Sequence, residues 1–277
     1  MAITAADVNK LRQMTGAGMM DCKKALEEAN GDFEAAIDIL RKKGQKVASK
    51  RADRAASEGI VLAGTNAEKT FAAVIMVNCE TDFVGKNDEF TGLAKKLLEK
   101  IIENKPASLD EARQLKLDDR TFDEHLTELI GKTGEKMEFP AYHFIEAPVV
   151  TAYNHQGNRL ATILGFNKKV NEETYTLAHE VAMQVAAMNP VSIDKDDVDP
   201  KIIERELEIG REQARAEGKP ENMIDKIAEG KLNRFYKEST LLNQEFVRDP
   251  KKTVGQYIAE HDKDIKVVKF YRLMLGE

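Results

Sequence analysis

The stretch Val74-Ile75-Met76-Val77-Asn78-Cys79-Glu80-Thr81-Asp82-Phe83-Val84-Gly85-Lys86-Asn87-Asp88-Glu89-Phe90 decides how the chain is read. Phe71 to Val77 is apolar, rich in β-branched residues and too short for a typical helix, so it predicts a strand. Glu80 to Lys86 then predicts a loop, and Asn87 or Asp88 a helix cap. The next helix has an apolar face at Phe90, Leu93, Leu97 and Ile101. Phe83 therefore falls at a strand-to-helix corner. Two readings of it stay open: a ring plugging the local core, or an anchor for a partner's pocket, a role in which aromatic residues are over-represented.

Outward from this corner the chain alternates modules. Thr4 with Asp7 predicts a capping box, Val8 and Leu11 share a face, and Gly16-Ala17-Gly18 breaks the helix. A second helix from Met20 carries Cys22, Ala25, Leu26 and Ala29 on one side and stops at Asn30-Gly31. Asp32 opens a third, with Phe33, Ala36, Ile37 and Leu40, expected to end at Gly44. Residues 1–44 thus form an expected three-helix module, whose Met19 and Met20 either fill its small core or form a docking surface. A basic linker helix, 45–58, comes next. Arg41 to Arg54 carries Arg41, Lys42, Lys43, Lys46, Lys50, Arg51 and Arg54 against one acid, Asp53. A solvated tether is the favoured reading, with contact to RNA phosphates as the alternative.

From Gly59 the period changes. Gly59 to Ala63 and Lys69 to Val77 read as strands joined at Gly64-Thr65-Asn66, and Thr121-Phe122-Asp123-Glu124 as a capping box opening a helix expected to end at Gly131. Val149 to Tyr153, the turn 154–158 and Arg159 to Phe166 form a second hairpin, and like the first it leads into a helix, here one with Leu177, Val181, Val185 and Met188. Lys136 to Ile145 and Asp264 to Leu275 supply further strands. The fold class is α+β: two related halves, 59–145 and 146–277, with antiparallel sheets and flanking helices. Pro200 to Glu217 and Glu221 to Glu238 read as a protruding antiparallel coiled coil, inserted at about 197–238.

Composition narrows the function. The chain has 277 residues, 42% hydrophobic and 32% charged, with a net charge of -6. That acidity argues against a general nucleic-acid binder, and no apolar run approaches the roughly 20 residues of a membrane span. The start lacks a basic patch followed by an apolar stretch, and Cys22 and Cys79 stand alone, so a reducing cytoplasm is expected. No phosphate loop or Gly-x-Gly-x-x-Gly is present, and the His179-Glu180 start of a zinc-protease pattern fails at Met183. His125, His143, His155, His179 and His261 are scattered, and nothing adjacent in sequence would activate Cys79. Neither a catalytic centre nor a cofactor or metal is expected.

Two segments carry a resemblance. Thr15-Gly16-Ala17-Gly18-Met19-Met20-Asp21-Cys22-Lys23-Lys24-Ala25-Leu26 and Asn78-Cys79-Glu80-Thr81-Asp82-Phe83-Val84 resemble the two signature segments of bacterial elongation factor Ts, and the resemblance extends from Ala5 to Gly276. It implies a UBA-like amino-terminal domain, a coiled-coil insertion, and a non-enzymatic exchange factor that promotes GDP release from its partner, the GTPase elongation factor Tu. It implies that Asp82 and Phe83 enter between two helices of the partner's nucleotide domain and disturb magnesium and phosphate contacts. It implies that Met19 and Met20, with Arg12 and Lys23, dock on that domain, that Ile130, Gly131 and Val247 make further contacts, and that His155 faces the third domain. Arg248 stands where some relatives have an apolar residue, and the sequence stops at Glu277 where some members continue into a helical module. A homodimer or a two-to-two complex stays open. The competing readings are an RNA or ribosome binder using Arg41 to Arg54, and a thiol hydrolase using Cys79.

Overall fold

The computed structural model describes residues 3–277; Met1 and Ala2, the first residues of the expected three-helix module, lie outside them. Helices α1 (Ala5–Thr15), α2 (Met19–Glu28) and α3 (Phe33–Lys50) come first. The Thr4–Asp7 capping box forms, and Gly16 ends α1 in the left-handed region at φ 66°. Val8, Leu11, Cys22, Ala25, Leu26 and Ala36 close a small core. The third helix does not stop at Gly44. It runs 18 residues to Lys50, with Gly44 buried in its interior and Val47 and Ala48 packed on the core of the first half.

That first half is built from β1 (Glu58–Thr65), β2 (Phe71–Cys79), the one-turn α4 (Asp82–Gly85), α5 (Asp88–Asn104), α6 (Leu109–Arg113), β3 (Lys116–Leu117), β4 (Arg120–Thr121), α7 (Phe122–Thr133) and β5 (Met137–Glu146). The hairpin turn lies later than expected: Gly64 and Thr65 still pair in β1, and Asn66 turns the chain, its Oδ1 accepting from Thr70 N and Phe71 N at 2.9 Å. The short α6 and the β3–β4 hairpin link α5 to α7. Gly131 does not end α7 either, since Gly134 caps it at φ 73°. Both misread glycines have the same cause: α3 and α7 cross there. A Cβ on Gly44 would lie 2.9 Å from Thr127 O, and one on Gly131 3.0 Å from the Gly44 Cα. A helix crossing this close requires the missing side chain that a helix stop also favours.

The second half repeats the plan with β6 (Val149–Asn154), β7 (Leu160–Phe166), α8 (Glu173–Met188), the helical hairpin α9 (Pro200–Ala216) and α10 (Glu221–Ser239), β8 (Glu245–Phe246), β9 (Asp249–Thr253), α11 (Val254–His261) and β10 (Val267–Met274). The main sheets are ordered β1-β2-β5 and β10-β7-β6, all antiparallel. In each, a hairpin is followed by a helix, and the third strand then joins the hairpin's second strand. The sheets stack through Val61, Ala63, Val74, Met76, Val150 and Ile163, while α5 and α7 cover the outer face of the first and α8 that of the second. Four layers result. β2 is buried along its whole length because alternate residues face a helix layer and the other sheet. Across the stack, Asn154 pairs with β1 like a strand: its Oδ1 accepts from Ala63 N at 2.7 Å and its Nδ2 donates to Ala63 O at 2.8 Å, while Val61 N donates to Asn158 O at 2.8 Å.

The inserted helices α9 and α10 pack chiefly on each other. Their seam relies on small residues more than the pattern predicts: Gly210, Ala214, Ile224 and Ala228 are buried, and Ile203, Leu207, Ile227 and Phe235 only partly.

Candidate partner-docking site

Apart from the exposed Asp82, Phe83 and Lys86, the residues of the corner are tied to the rest of the fold. Glu80 turns inward, its carboxylate accepting from Lys136 N at 2.6 Å, Arg51 Nη1 at 2.9 Å and Arg54 Nη1 at 3.0 Å. The backbone donor at Lys136, reinforced by the two guanidinium groups, holds its pKa down at about 2. Arg51 and Arg54 are thus anchors, not parts of a solvated tether. Of the remaining run, Lys43 pairs with Asp21 and Arg41 with Asp38, while Lys42, Lys46 and Lys50 are exposed on α3.

Thr81 donates from its backbone N (3.1 Å) and from Oγ1 (2.9 Å) to the Glu135 carboxylate, and its Oγ1 accepts from Val84 N to cap α4. Gly85 rests on Gly59, where a Cβ would lie 3.3 Å from the Gly59 N and O. Gly59 itself, at φ 142°, leaves a Cβ only 2.1 Å from Val77 O. Val84 is buried and Asp82 pairs with Lys86 at 2.6 Å, a contact that lowers the Asp82 pKa. Phe83 is 83% exposed. Val84 is the core plug of this turn, and the Phe83 ring projects from a clamped backbone.

Cys79 is buried beneath the corner, its Sγ donating to Thr81 O at 3.1 Å. Burial, with the negative Glu135 and Glu58 nearby, pushes the thiol up to about 12, the opposite of what a nucleophile needs. The histidines serve local structure: His125 bonds Leu117 O at 2.8 Å, His143 stacks on Tyr271, His179 lies edge-on to Tyr153, and His261 edge-on to Tyr257. Among the described residues, no group of three or more His, Cys, Asp or Glu is placed to hold a metal ion, and no helix is long and apolar enough to cross a membrane.

On the three-helix module, Met19 and Met20 are 51% and 62% exposed at the start of α2. They do not fill the module's core, because Cys22, Ala25 and Leu26 occupy the inward face. Arg12 is exposed in the last turn of α1, and Lys23 is half exposed beside Glu27 at 3.8 Å. Ile130 is 5% exposed and belongs to the first half's core, and Gly131 is half-buried with its backbone against Gly44.

On the second half, His155 is exposed in the β6–β7 turn, its Nδ1 2.8 Å from the Tyr153 hydroxyl. Val247, 53% exposed, is held by its N–H donating to the buried Gln184 Oε1 at 2.9 Å. Arg248 pairs with Glu180, which also accepts from the Tyr257 hydroxyl; the Glu180 of the failed zinc pattern therefore has a structural task. Glu135, Gln184 and Glu180 hold these surfaces in place, yet each is distant in sequence from what it supports and belongs to no motif.

The corner thus presents an exposed aromatic ring on a turn held by hydrogen bonds and close backbone packing, above a buried thiol. A family model described as Elongation factor TS matches residues 80–277. The chain is 50% identical over 276 residues to the elongation factor Ts of Amoebophilus asiaticus, covering 100% of both chains. It is 51% identical over 278 residues to that of Porphyromonas gingivalis and 50% over 275 to that of Cytophaga hutchinsonii, each covering at least 99% of both chains. The chain belongs to the elongation factor Ts family, the translation elongation factors whose resemblance its two signature segments carry.

Proposed function

We propose that this protein is the guanine nucleotide exchange factor for elongation factor Tu, acting in the cytoplasm by docking and without covalent chemistry of its own. The observation that carries the reading is the exposed Phe83 on a corner clamped by Glu80, Thr81 and Gly85. A wedge fixed before binding loses little freedom on entering a pocket, so most of its burial energy remains for the partner's rearrangement.

The mechanism is linkage. An exchange factor that binds the nucleotide-free GTPase more tightly than the nucleotide-bound form weakens nucleotide binding by the same factor. Each tenfold loss of nucleotide affinity requires about 1.4 kcal/mol of differential binding. Burying a phenylalanine supplies roughly 1.5–3 kcal/mol, about one to two powers of ten. Asp82 brings a negative charge to the partner groups that hold magnesium and phosphate. Met19 and Met20, with Arg12 and Lys23, dock on the same nucleotide domain, Val247 adds a contact, and His155 meets the third domain.

Stopped-flow release of labelled GDP from elongation factor Tu tests the reading: addition of this protein accelerates release, and an unchanged rate refutes it. The competing reading, an RNA or ribosome binder, predicts retention on RNA that falls steeply with salt.

A further inference from the structure

Lys132, in the last turn of α7, is the point where the elements next to the two exposed surfaces meet. Its ammonium binds Glu89 at 2.6 Å and Glu128 at 3.1 Å, and its side chain is only 16% exposed. Glu89 lies in the first turn of α5, six residues beyond Phe83. The stem of Lys132 lies against the other surface: a Cβ on Gly16, three residues before Met19, would be 3.0 Å from Lys132 Cε and 3.2 Å from Cδ. Glu128 is fixed in turn by Arg120 from β4. One turn of α7 thus touches the loop that leads into Met19 and Met20 and the helix that leaves the Phe83 corner.

The module has a second fixed point. α3 belongs to the three-helix core through Ala36, Ile37 and Leu40, and to the first half through Val47 and Ala48. Between them it crosses α7 with Gly44 on Gly131, neighbours of Lys132 in space and in sequence. A continuous helix pinned at its middle, with a lysine bracing the neighbouring loop, leaves the module little freedom to rotate.

We propose that Gly44, Gly131 and Lys132 are positioning residues that hold the Met19–Met20 patch and Phe83 at one fixed separation, so that a single partner molecule engages both at once. This rests on the docking function proposed above. The gain is intramolecular: once one surface is bound, the other is presented at a high effective concentration, and that advantage disappears if the geometry is relaxed. Lys132 and Gly131 touch no partner in this scheme; they act through the methionines.

The test uses the full chain with spin labels at Glu28→Cys on α2 and Lys95→Cys on α5, both exposed positions, while the native Cys22 and Cys79 are buried. Lys132→Ala removes the brace and Gly131→Ala displaces the crossing; the first keeps the experiment decisive if the second impairs folding. In the parent the label-to-label distance distribution is narrow, and in either variant it broadens or shifts. GDP release from elongation factor Tu then shows a half-saturating concentration raised about tenfold, with the maximal rate within about twofold. In a double-mutant cycle, Met19→Ala with Met20→Ala slows exchange in the parent and costs at least threefold less in the Lys132→Ala background. An unchanged distance distribution, or a methionine effect that is the same in both backgrounds, overturns the proposal. A parent that leaves GDP release unchanged refutes the docking function instead, while the distance measurement still reports on the brace.

Discussion

Replacing Phe83 with alanine separates folding from function, because the ring contributes so little to the free protein. It is 83% exposed, and its neighbours Val84, Gly85 and Glu80 hold the turn without it. A surface substitution of this kind changes stability within about 0.5 kcal/mol, so the melting temperature of Phe83→Ala stays within about 2 °C of the parent. On docking, the exposed fraction is what becomes buried. Scaling roughly 1.5–3 kcal/mol for a fully buried phenylalanine by 83% gives about 1.2–2.5 kcal/mol. At about 1.4 kcal/mol per factor of ten, stimulated exchange falls about 8- to 60-fold. Stopped-flow traces at several concentrations of the variant give kcat/KM for labelled GDP release directly. Phe83→Leu, which keeps most of the apolar volume, falls between alanine and the parent. A variant that folds normally and exchanges at the parental rate would refute the wedge; one that unfolds would show that the ring stabilises the corner after all.

Other residues of the corner give sharper tests of its construction. Glu80→Gln removes charge-assisted hydrogen bonds from Lys136, Arg51 and Arg54 and lowers stability at pH 7 by about 1–3 kcal/mol in urea unfolding. Because the folded state depresses the Glu80 pKa from 4.5 to about 2, its stabilisation is complete above about pH 4.5 and is lost as pH falls towards 2; parent and variant curves converge across that window, and a constant gap would contradict the assignment. Gly59→Ala drives a Cβ to 2.1 Å from Val77 O, so a loss of about 3 kcal/mol or more is expected, with slower exchange because Gly85 rests on Gly59; a melting point within about 2 °C of the parent would count against the clamp. Cys79→Ser keeps exchange within about threefold, and the parent's Cys79 resists thiol reagents at about pH 8 until denaturant is added; loss of activity with an intact fold would revive the thiol mechanism.

Much of this architecture is legible in the sequence where local chemistry and tertiary structure agree. The boxes at Thr4–Asp7 and Thr121–Glu124 form as written, and so do the strand at Phe71 to Val77 and the α5 face at Phe90, Leu97 and Ile101. The corner's position comes from that change of period. Sequence leaves undecided the direction of Phe83 against Val84, since a one-turn helix has no periodicity to read. Gly44 and Gly131 mislead because a helix stop and a close helix crossing both favour a missing side chain, and only the spatial neighbour tells them apart. The basic run misleads for a related reason: Glu80, the acid that binds Arg51 and Arg54, is 29 and 26 residues away. Lys132 is invisible for the same cause, an ordinary lysine in an amphipathic helix until Gly16 and Glu89 arrive beside it.

The side-chain amide of Asn154 has an effect on the chain's behaviour in a crowded solution. β1 ends its sheet, and a terminal strand normally leaves a row of donors and acceptors on which another copy's strand can grow. Here Val61 N and both backbone groups of Ala63 are already occupied by Asn158 and Asn154 from the opposite half. Stacking the two halves thus occupies, on this stretch of β1, the groups on which a strand of another copy could otherwise add.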